Sequence, residues 1–198
     1  TFVHMNLIRE AEVEPIVSSG LSIVWCPFGY GSRGIVRNQP TRLPEMKKRG
    51  VPVALGTDSA RQSSSGDAGF LAFVLSAEVG TPLGSEEIVE MATLHGARAA
   101  GLEHLIGNLE PGKRADIVIR STDTAELWPG IDPAHQLIAV GHGPTVDTAV
   151  VNGRIVLRHG RAVLVDEATV FAEARASALR VAERLDLNPS GVWPLAEK

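Results

Sequence analysis

Val53-Ala54-Leu55-Gly56-Thr57-Asp58 is the stretch of sequence that decides the fold of this chain. Its apolar run is too short for a helix and stops at Gly-Thr-Asp, which favours a buried parallel strand with a carboxylate at its carboxyl end. In barrel and open α/β enzymes, catalytic side chains lie at the carboxyl ends of the strands. An Asp in this place fits equally well as the N-cap of a following helix. The hexapeptide therefore predicts a strand and leaves the role of Asp58 open.

Two further short apolar runs come earlier in the chain, at Thr1–His4 and at Leu21–Cys26. Helical patterns lie between the runs, at residues 8–19 and 41–49, and a glycine follows each of them. A strand–helix–strand–helix–strand order is typical of parallel βα units. The three predicted strands end in polar or special residues, namely His4, the Cys26-Pro27 turn and Asp58.

Two polar segments follow the second and third strands, at residues 28–40 and 61–67, and are predicted to be loops on the side that faces substrate. Four of their side chains are candidates for substrate contact: Arg33, Arg61, Ser63 and Asp67. Beyond them, helices are predicted from about Ala68 to Val79 and from Ser85, as N-cap, to Gly101.

After Gly112 the pattern becomes local and antiparallel. A short strand at residues 115–120 is followed by a hairpin whose two-residue turn is Asn152-Gly153. These strands suggest a small β-sandwich. An amphipathic helix at Thr169–Leu185, with apolar positions three and four apart, is expected to dock on the body, and the tail from Asn188 to be irregular. The predicted domains are residues 1–112, 113–165 and 166–198.

Composition narrows the class of protein. The net charge is −4 without charge runs, which argues against nucleic acid or an anionic membrane as a partner. No apolar stretch reaches the roughly 18 residues of a membrane helix, and the first residues resemble neither a signal nor a transit peptide. Cys26 is the single cysteine, so an intramolecular disulfide and a cysteine-based zinc cluster are excluded. The composition fits a cytoplasmic enzyme, and it fits many proteins that are not enzymes as well.

Six segments, in this order and spacing, carry a resemblance to a known family, and the block beginning at Gly107 is the most diagnostic. They are the strand ending in His4, Val24–Pro27, Gly50–Asp58, Ala92–Gly101, Ile106–Val118 and Val146–Arg154. With them the chain resembles the C-terminal half of an amidohydrolase-superfamily enzyme. The most similar branch is that of the chlorohydrolases and aminohydrolases, which includes guanine, adenosylhomocysteine and triazine deaminases.

The resemblance implies a fold, a chemistry and site residues. The fold is α/β, the last part of a (β/α)8 TIM barrel plus strands of a small β-sandwich. The chemistry is metal-dependent hydrolysis of non-peptide C–N bonds, with zinc or iron as the divalent metal. Asp58 matches the position that binds the metal and moves the proton of the attacking water. His4 matches the position that polarises the substrate or that water. His95 and Asp116 match structural positions.

The resemblance also implies a small-molecule substrate, a nitrogen heterocycle or an amide, and a homo-oligomeric enzyme. The segments after Cys26-Pro27 and after Asp58 depart from those of the deaminases, so another amidohydrolase activity, on cyclic amides or on acyl or dipeptide substrates, stays open. No His-x-His pair occurs. We therefore interpret the chain as a fragment, inactive alone, and an inactive structural piece is the alternative to an enzyme.

Overall fold

The structure is a computed structural model that describes residues 1–58, 65–140 and 145–187. It contains a parallel sheet with the strand order β1-β2-β3 and an antiparallel sheet with the order β4-β5-β6-β7. The strands are β1 (Phe2–Val3), β2 (Ile23–Trp25), β3 (Val53–Leu55), β4 (Ile117–Arg120), β5 (Val146–Val151), β6 (Arg154–Arg158) and β7 (Arg161–Ala162). The helices are α1 (Glu10–Ser18), α2 (Pro27–Ser32), α3 (Ile35–Asn38), α4 (Leu43–Lys48), α5 (Ser65–Glu78), α6 (Ser85–Ala92), α7 (Leu94–Ala99), α8 (Pro133–His135) and α9 (Glu167–Arg184).

The parallel sheet confirms the prediction made from the three apolar runs. Phe2 lies opposite Ile23 across β1 and β2, and Trp25 lies opposite Leu55 across β2 and β3, with all three strands running the same way. The Ile23 and Trp25 side chains are completely buried. Helices connect the strands, so the carboxyl ends of β1, β2 and β3 share one edge of the sheet.

The helix α4 ties its neighbours to the parallel sheet. Its Leu43 and Met46 side chains are fully buried in the core. Ion pairs link its end to α1 and α6, because Arg49 lies 2.6 Å from Glu14 and Lys47 lies 2.6 Å from Glu90. Pairs of this kind at a surface contribute about 0–1 kcal/mol each, so the apolar burial dominates.

The segment after Cys26 corrects the prediction of a loop at residues 28–40, because α2 and α3 occupy most of it. Pro27 stands at the first position of α2, where its fixed φ favours a helix. Tyr30 is buried, and its hydroxyl donates to the Gln39 carbonyl. A Cβ on Gly31 would lie 3.4 Å from Leu75 of α5, so the small residue permits close packing of α2 on α5. Tertiary packing thus overrides the local glycine-rich pattern.

The predicted helix from Ser85 to Gly101 is two helices. Its N-cap is Gly84, one residue before the predicted cap, and the backbone N–H of Gly84 donates to the Glu87 carboxylate at 2.8 Å. The chain breaks at Thr93 (φ −120°, ψ −84°), and α7 begins after it. The break brings His95 Nδ1 to 3.1 Å from the Val53 carbonyl of β3. His95 therefore fastens α7 to the parallel sheet, in agreement with a structural role.

The Asn152-Gly153 hairpin is confirmed. Both turn residues have positive φ, 49° and 76°, as a tight hairpin of this kind requires, and Val151 pairs with Arg154 across it. The Asp116 carboxylate accepts a 2.6 Å hydrogen bond from the Asn152 backbone N–H. Asp116 thus holds the hairpin turn beside β4, within the antiparallel sheet.

The helix α9 corrects a second prediction, because its apolar face does not dock. Asp166 caps it by accepting from the Ala168 N–H, yet none of its side chains is buried. Phe171 is 62% exposed and Val181 is 50% exposed. The spacing of apolar residues identified a face correctly but could not say what covers it. The tail from Asn188 lies outside the described residues.

Among the described helices, none combines the length and the apolar character that a membrane crossing needs.

Candidate active site

His4 and Asp58 meet at the carboxyl edge of the parallel sheet. His4 directly follows β1, and Asp58 comes three residues after β3. The Nε2 atom of His4 lies 3.6 Å from the Oδ2 atom of Asp58. The two side chains therefore converge on one rim, as expected from parallel strands whose carboxyl ends share an edge.

The backbone turns sharply at both residues. His4 has φ 72° and Asp58 has φ 44°, in the left-handed region that residues other than glycine rarely adopt. Such conformations cost of order 1–3 kcal/mol each and persist where the surroundings impose them, often at functional sites. Here they turn the side chains of two non-adjacent strands towards each other.

Gly56 sets the approach of β3 to β2 just before Asp58. Its backbone N–H donates to the Trp25 carbonyl at 2.8 Å and continues the strand pairing. A Cβ at this position would lie 2.9 Å from Val24 Cγ1 and 3.1 Å from Cys26 Sγ. A larger residue fits only if the Val24 and Cys26 side chains move, so glycine allows the segment carrying Asp58 to lie close to β2.

Cys26 lies at the end of β2, between the two site strands, but it is not available for chemistry. Its side chain is 3% exposed. Burial, and secondarily the charge of Asp58, raises the pKa of the Cys26 thiol above its ordinary value. It therefore stays a neutral thiol at physiological pH, whereas nucleophilic and metal-binding cysteines act as thiolates.

The donor set at this rim fits part of a metal site. Asp58 and His4 supply one carboxylate and one imidazole, and both side chains are about half exposed, at 58% and 52%. Oxygen and nitrogen donors of this type suit zinc or iron. Catalytic zinc sites usually hold three protein ligands, and the described residues contain no group of three His, Cys, Asp or Glu suited to a metal.

The remaining predicted site residues are not brought to this pair by any described contact. Arg33 is exposed at the end of α2. Asp67 is half-buried in the first turn of α5, where the helix dipole stabilises a carboxylate. Arg61 and Ser63 lie outside the described residues.

Sequence reasoning missed Asn6. Its Oδ1 atom is buried and has no hydrogen-bond partner in the described structure, and the residue lines a cavity that also includes His4. A polar residue three positions after a strand carries no distinctive signal in a single sequence. Only the fold around it reveals the unsatisfied group.

Known proteins are similar in sequence to much of this chain. Residues 1–156 match the amidohydrolase family. The 5-methylthioadenosine/S-adenosylhomocysteine deaminase of Desulforudis audaxviator is 33% identical over 194 residues, which cover 91% of this chain and 43% of that protein. The S-triazine hydrolase of Gordonia rubripertincta is 38% identical over 125 residues, covering 59% of this chain and 26% of that protein.

A solved structure supports the same relationship. An adenosine deaminase from Xanthomonas campestris with bound zinc superposes with a TM-score of 0.82 at 27% identity, covering 91% of this chain and 42% of that one. The chain thus spans less than half the length of these three relatives. The family match extends over well more than half of its residues, and this chain belongs to the amidohydrolase family.

Proposed function

We propose that this chain forms part of a metal-dependent hydrolase that cleaves non-peptide C–N bonds in small molecules, in the manner of deaminases and chlorohydrolases. The observation that carries the proposal is the convergence of His4 and Asp58 at 3.6 Å on the carboxyl edge of a parallel sheet. The names of the relatives, a nucleoside deaminase and a triazine hydrolase, point to nitrogen heterocycles as the substrate class.

The proposed setting is a longer protein. We assign residues 1–112 to the last βα units of a (β/α)8 barrel, residues 113–165 to a small β-sandwich and residues 166–198 to a C-terminal helix and tail. The parallel sheet followed by an antiparallel sheet supports this division, as does the greater length of the relatives. The other metal ligands belong to the part of the barrel that this chain does not supply.

Asp58 has the central chemical role in the proposal. When bound, zinc or iron supplies a water molecule whose pKa falls from about 15.7 towards 7. Asp58 would hold the metal as a carboxylate ligand. The carboxylate also accepts the proton of the attacking water and returns it to the leaving nitrogen. Its exposure of 58% leaves it accessible to both partners.

His4 acts beside it as the polarising group. An imidazole N–H donates a hydrogen bond to the substrate atom on which negative charge develops, or orients the attacking water. The 3.6 Å distance to Asp58 is longer than a direct hydrogen bond, so both groups can contact a third partner that lies beside the pair.

The compartment and the assembly are proposals too. A single free, buried cysteine suits the reducing cytoplasm, and exposed apolar side chains such as Phe171 suit a homo-oligomer. The net charge of −4 argues against nucleic acid as a partner.

The test is a substrate panel with the full-length, zinc-loaded protein. It compares 5′-methylthioadenosine, adenosine, guanine and a chlorotriazine with hydantoin, as a cyclic amide, and an N-acetyl amino acid. We expect ammonia or chloride release from the heterocycles, which Asp58→Asn should lower by about 100-fold or more and which the exposed-loop control Asp123→Asn should keep. Turnover of hydantoin or the acyl compound alone would favour the other amidohydrolase activities. No turnover would favour the inactive structural piece.

A further inference from the structure

The segment that follows β4 leaves the antiparallel sheet and packs on helices beside the parallel sheet. We call residues 121–140 the strap, and they contain α8 and a turn of π-helix at Gln136–Val140. Both of these lie against α6, and the π-helical turn also lies against α5, the helix that comes next after Asp58 in the chain. Turns of π-helix are rare and occur frequently at functional sites. The strap joins the antiparallel sheet to the half of the chain that carries the site.

Side-chain contacts hold the strap in place. His135 Nδ1 lies 3.5 Å from Ser85 Oγ, at the start of α6, and the His135 ring packs edge-on against Phe73 of α5, with 6.0 Å between the ring centroids. Within the strap, the side-chain amide of Gln136 donates a hydrogen bond to the Leu127 carbonyl. The strap is thus fixed both to the helices and to itself in the residues that lead into the π-helical turn.

Ile138 lies in the π-helical turn and packs in the core. It is 4% exposed and belongs to the apolar core that α5 and α6 share with the parallel sheet. A Cβ at Gly69 of α5 would lie 3.3 Å from Ile138 Cδ1 and 3.3 Å from Ile88 Cγ2. Because glycine has no side chain, both isoleucines can lie close to the α5 backbone. The strap and α6 therefore hold α5 together at Gly69.

The same position on α5 adjoins the end of β3. A Cβ at Gly69 would lie 3.9 Å from Leu55 Cδ1, and Leu55 is the last residue of β3, three residues before Asp58. This end of the strand is also held to β2, because the Gly56 N–H donates to the Trp25 carbonyl at 2.8 Å. Protein interiors are close-packed and transmit strain, so a shift of α5 at Gly69 would reach the segment that carries Asp58.

We propose that Ile138 is a positioning residue for the catalytic carboxylate. Its Cδ1 methyl group holds α5 at Gly69 against the end of β3, and this contact sets the place of Asp58 at the rim. Displacement of a reacting group by about 1 Å can lower a rate about 100-fold. The strap then contributes to catalysis without touching substrate or metal. The inference rests on the proposed function, which gives Asp58 its catalytic role.

The experiment uses the full-length, zinc-loaded protein and the heterocycle of the substrate panel that the wild type turns over fastest. Ile138→Val removes only the Cδ1 methyl group and keeps the branched side chain. It should lower kcat about 5-fold and leave KM within about two-fold of the wild type. Ile88→Val is the matched control, because it removes a methyl group from the same core but retains Cγ2, the atom that faces Gly69. It should keep kcat within about two-fold, although both variants lower the melting temperature.

A double-mutant cycle separates positioning from a general structural role. In the Asp58→Asn background, Ile138→Val should change the residual kcat less than about two-fold, because no catalytic carboxylate is left to position. An equal loss of kcat in both backgrounds, an equal loss in Ile88→Val or an unchanged kcat in Ile138→Val would overturn the inference. Failure of the proposed function has a different signature. Asp58→Asn would then keep full activity, or the wild type would have none, and the inference would fall with it.

Discussion

His4 Nε2 lies 3.6 Å from Asp58 Oδ2, although the two residues follow the outer strands of the parallel sheet and β2 separates those strands. Neighbouring strands are about 4.8 Å apart, so β1 and β3 are about 10 Å apart at their backbones. The two side chains span that gap from residues whose backbone is left-handed. The pair is therefore a product of tertiary structure, and its function can be tested by removing either partner.

Among single substitutions at this site, substitution of Asp58 should lower the activity of the full-length enzyme most. Asp58→Asn keeps the shape but cannot accept a proton, so kcat should fall about 10²–10⁴-fold, the range of general acid–base catalysis. Because His4 works at the same centre, the double variant with His4→Gln should lose less than the product of the two single losses. Steady-state kinetics with zinc analysis measure both effects. Full activity and full zinc content in Asp58→Asn would contradict the assignment.

Gly56 should resist even a methyl group. Gly56→Ala places a Cβ 2.9 Å from Val24 Cγ1, and overpacking of this kind costs about 1–3 kcal/mol. Asp58 lies two residues further on, so activity should fall together with thermal stability. Val24→Ala removes the clashing atom and should restore a substantial part of both.

The control for Gly56 is Gly96→Ala on α7. A Cβ at Gly96 meets only the Met91 carbonyl, at 3.8 Å, and the position is helical. This substitution should be neutral or stabilising, since alanine favours a helix by about 1 kcal/mol over glycine. If thermal denaturation shows that the two alanine substitutions destabilise the protein equally, the contact with Val24 is not the cause of the destabilisation at Gly56.

How far the sequence predicts this structure depends on whether its signals are local. The strand at Val53 and the turn at Asn152-Gly153 follow from side-chain burial and from backbone preference within a few residues. The helix α2 does not follow from local signals, because the buried Tyr30 and the packing of α2 on α5 stabilise a segment that is rich in glycine. That His4 and Asp58 lie at one edge of the sheet follows from the order of parallel strands, whereas their 3.6 Å separation depends on tertiary structure that no sequence motif announces.

His95 should make stability depend on pH. Burial is the main cause that lowers the pKa of His95 below the ordinary 6.5, so the folded protein keeps the imidazole neutral. Below pH 6.5 the unfolded chain takes up a proton that the folded chain does not, so stability should fall as the pH drops from 6.5 towards the folded pKa. Above pH 6.5 both states are neutral and this contribution is constant.

The test for His95 is urea denaturation between pH 5 and 8. His95→Gln retains an N–H donor for the Val53 carbonyl and cannot titrate, so its stability should change less with pH than that of the wild type. His104→Gln is the control, because His104 is exposed and lies outside both sheets. A pH profile that is identical in the wild type and His95→Gln would refute the assignment.

The 198-residue chain should bind zinc weakly by itself. Its described residues offer Asp58 and His4 but no group of three ligands, whereas catalytic zinc is usually held by three protein side chains. Titration against a chelating zinc indicator should show no tight stoichiometric site, and Asp58→Asn should remove most of the residual binding. Tight binding of one zinc per chain, unchanged in Asp58→Asn, would exclude the proposed ligand role.

The same chain should also self-associate, because it exposes apolar side chains that are normally covered. On α9, Phe171 is 62% exposed and Val181 is 50% exposed, and Leu185, the residue that follows the helix, is 62% exposed, all at heptad-like spacings on one face. Contiguous apolar surface of this kind drives association.

Sedimentation velocity should show oligomers whose fraction rises with concentration. The double variant Phe171→Ser/Val181→Ser should reduce that fraction, while Ala176→Ser, on the opposite face of the helix, should not. A strictly monomeric wild type at high concentration would contradict the prediction. Equal association in both serine variants would move the contact to another surface, such as the open edge of β1, where Phe2 is 57% exposed.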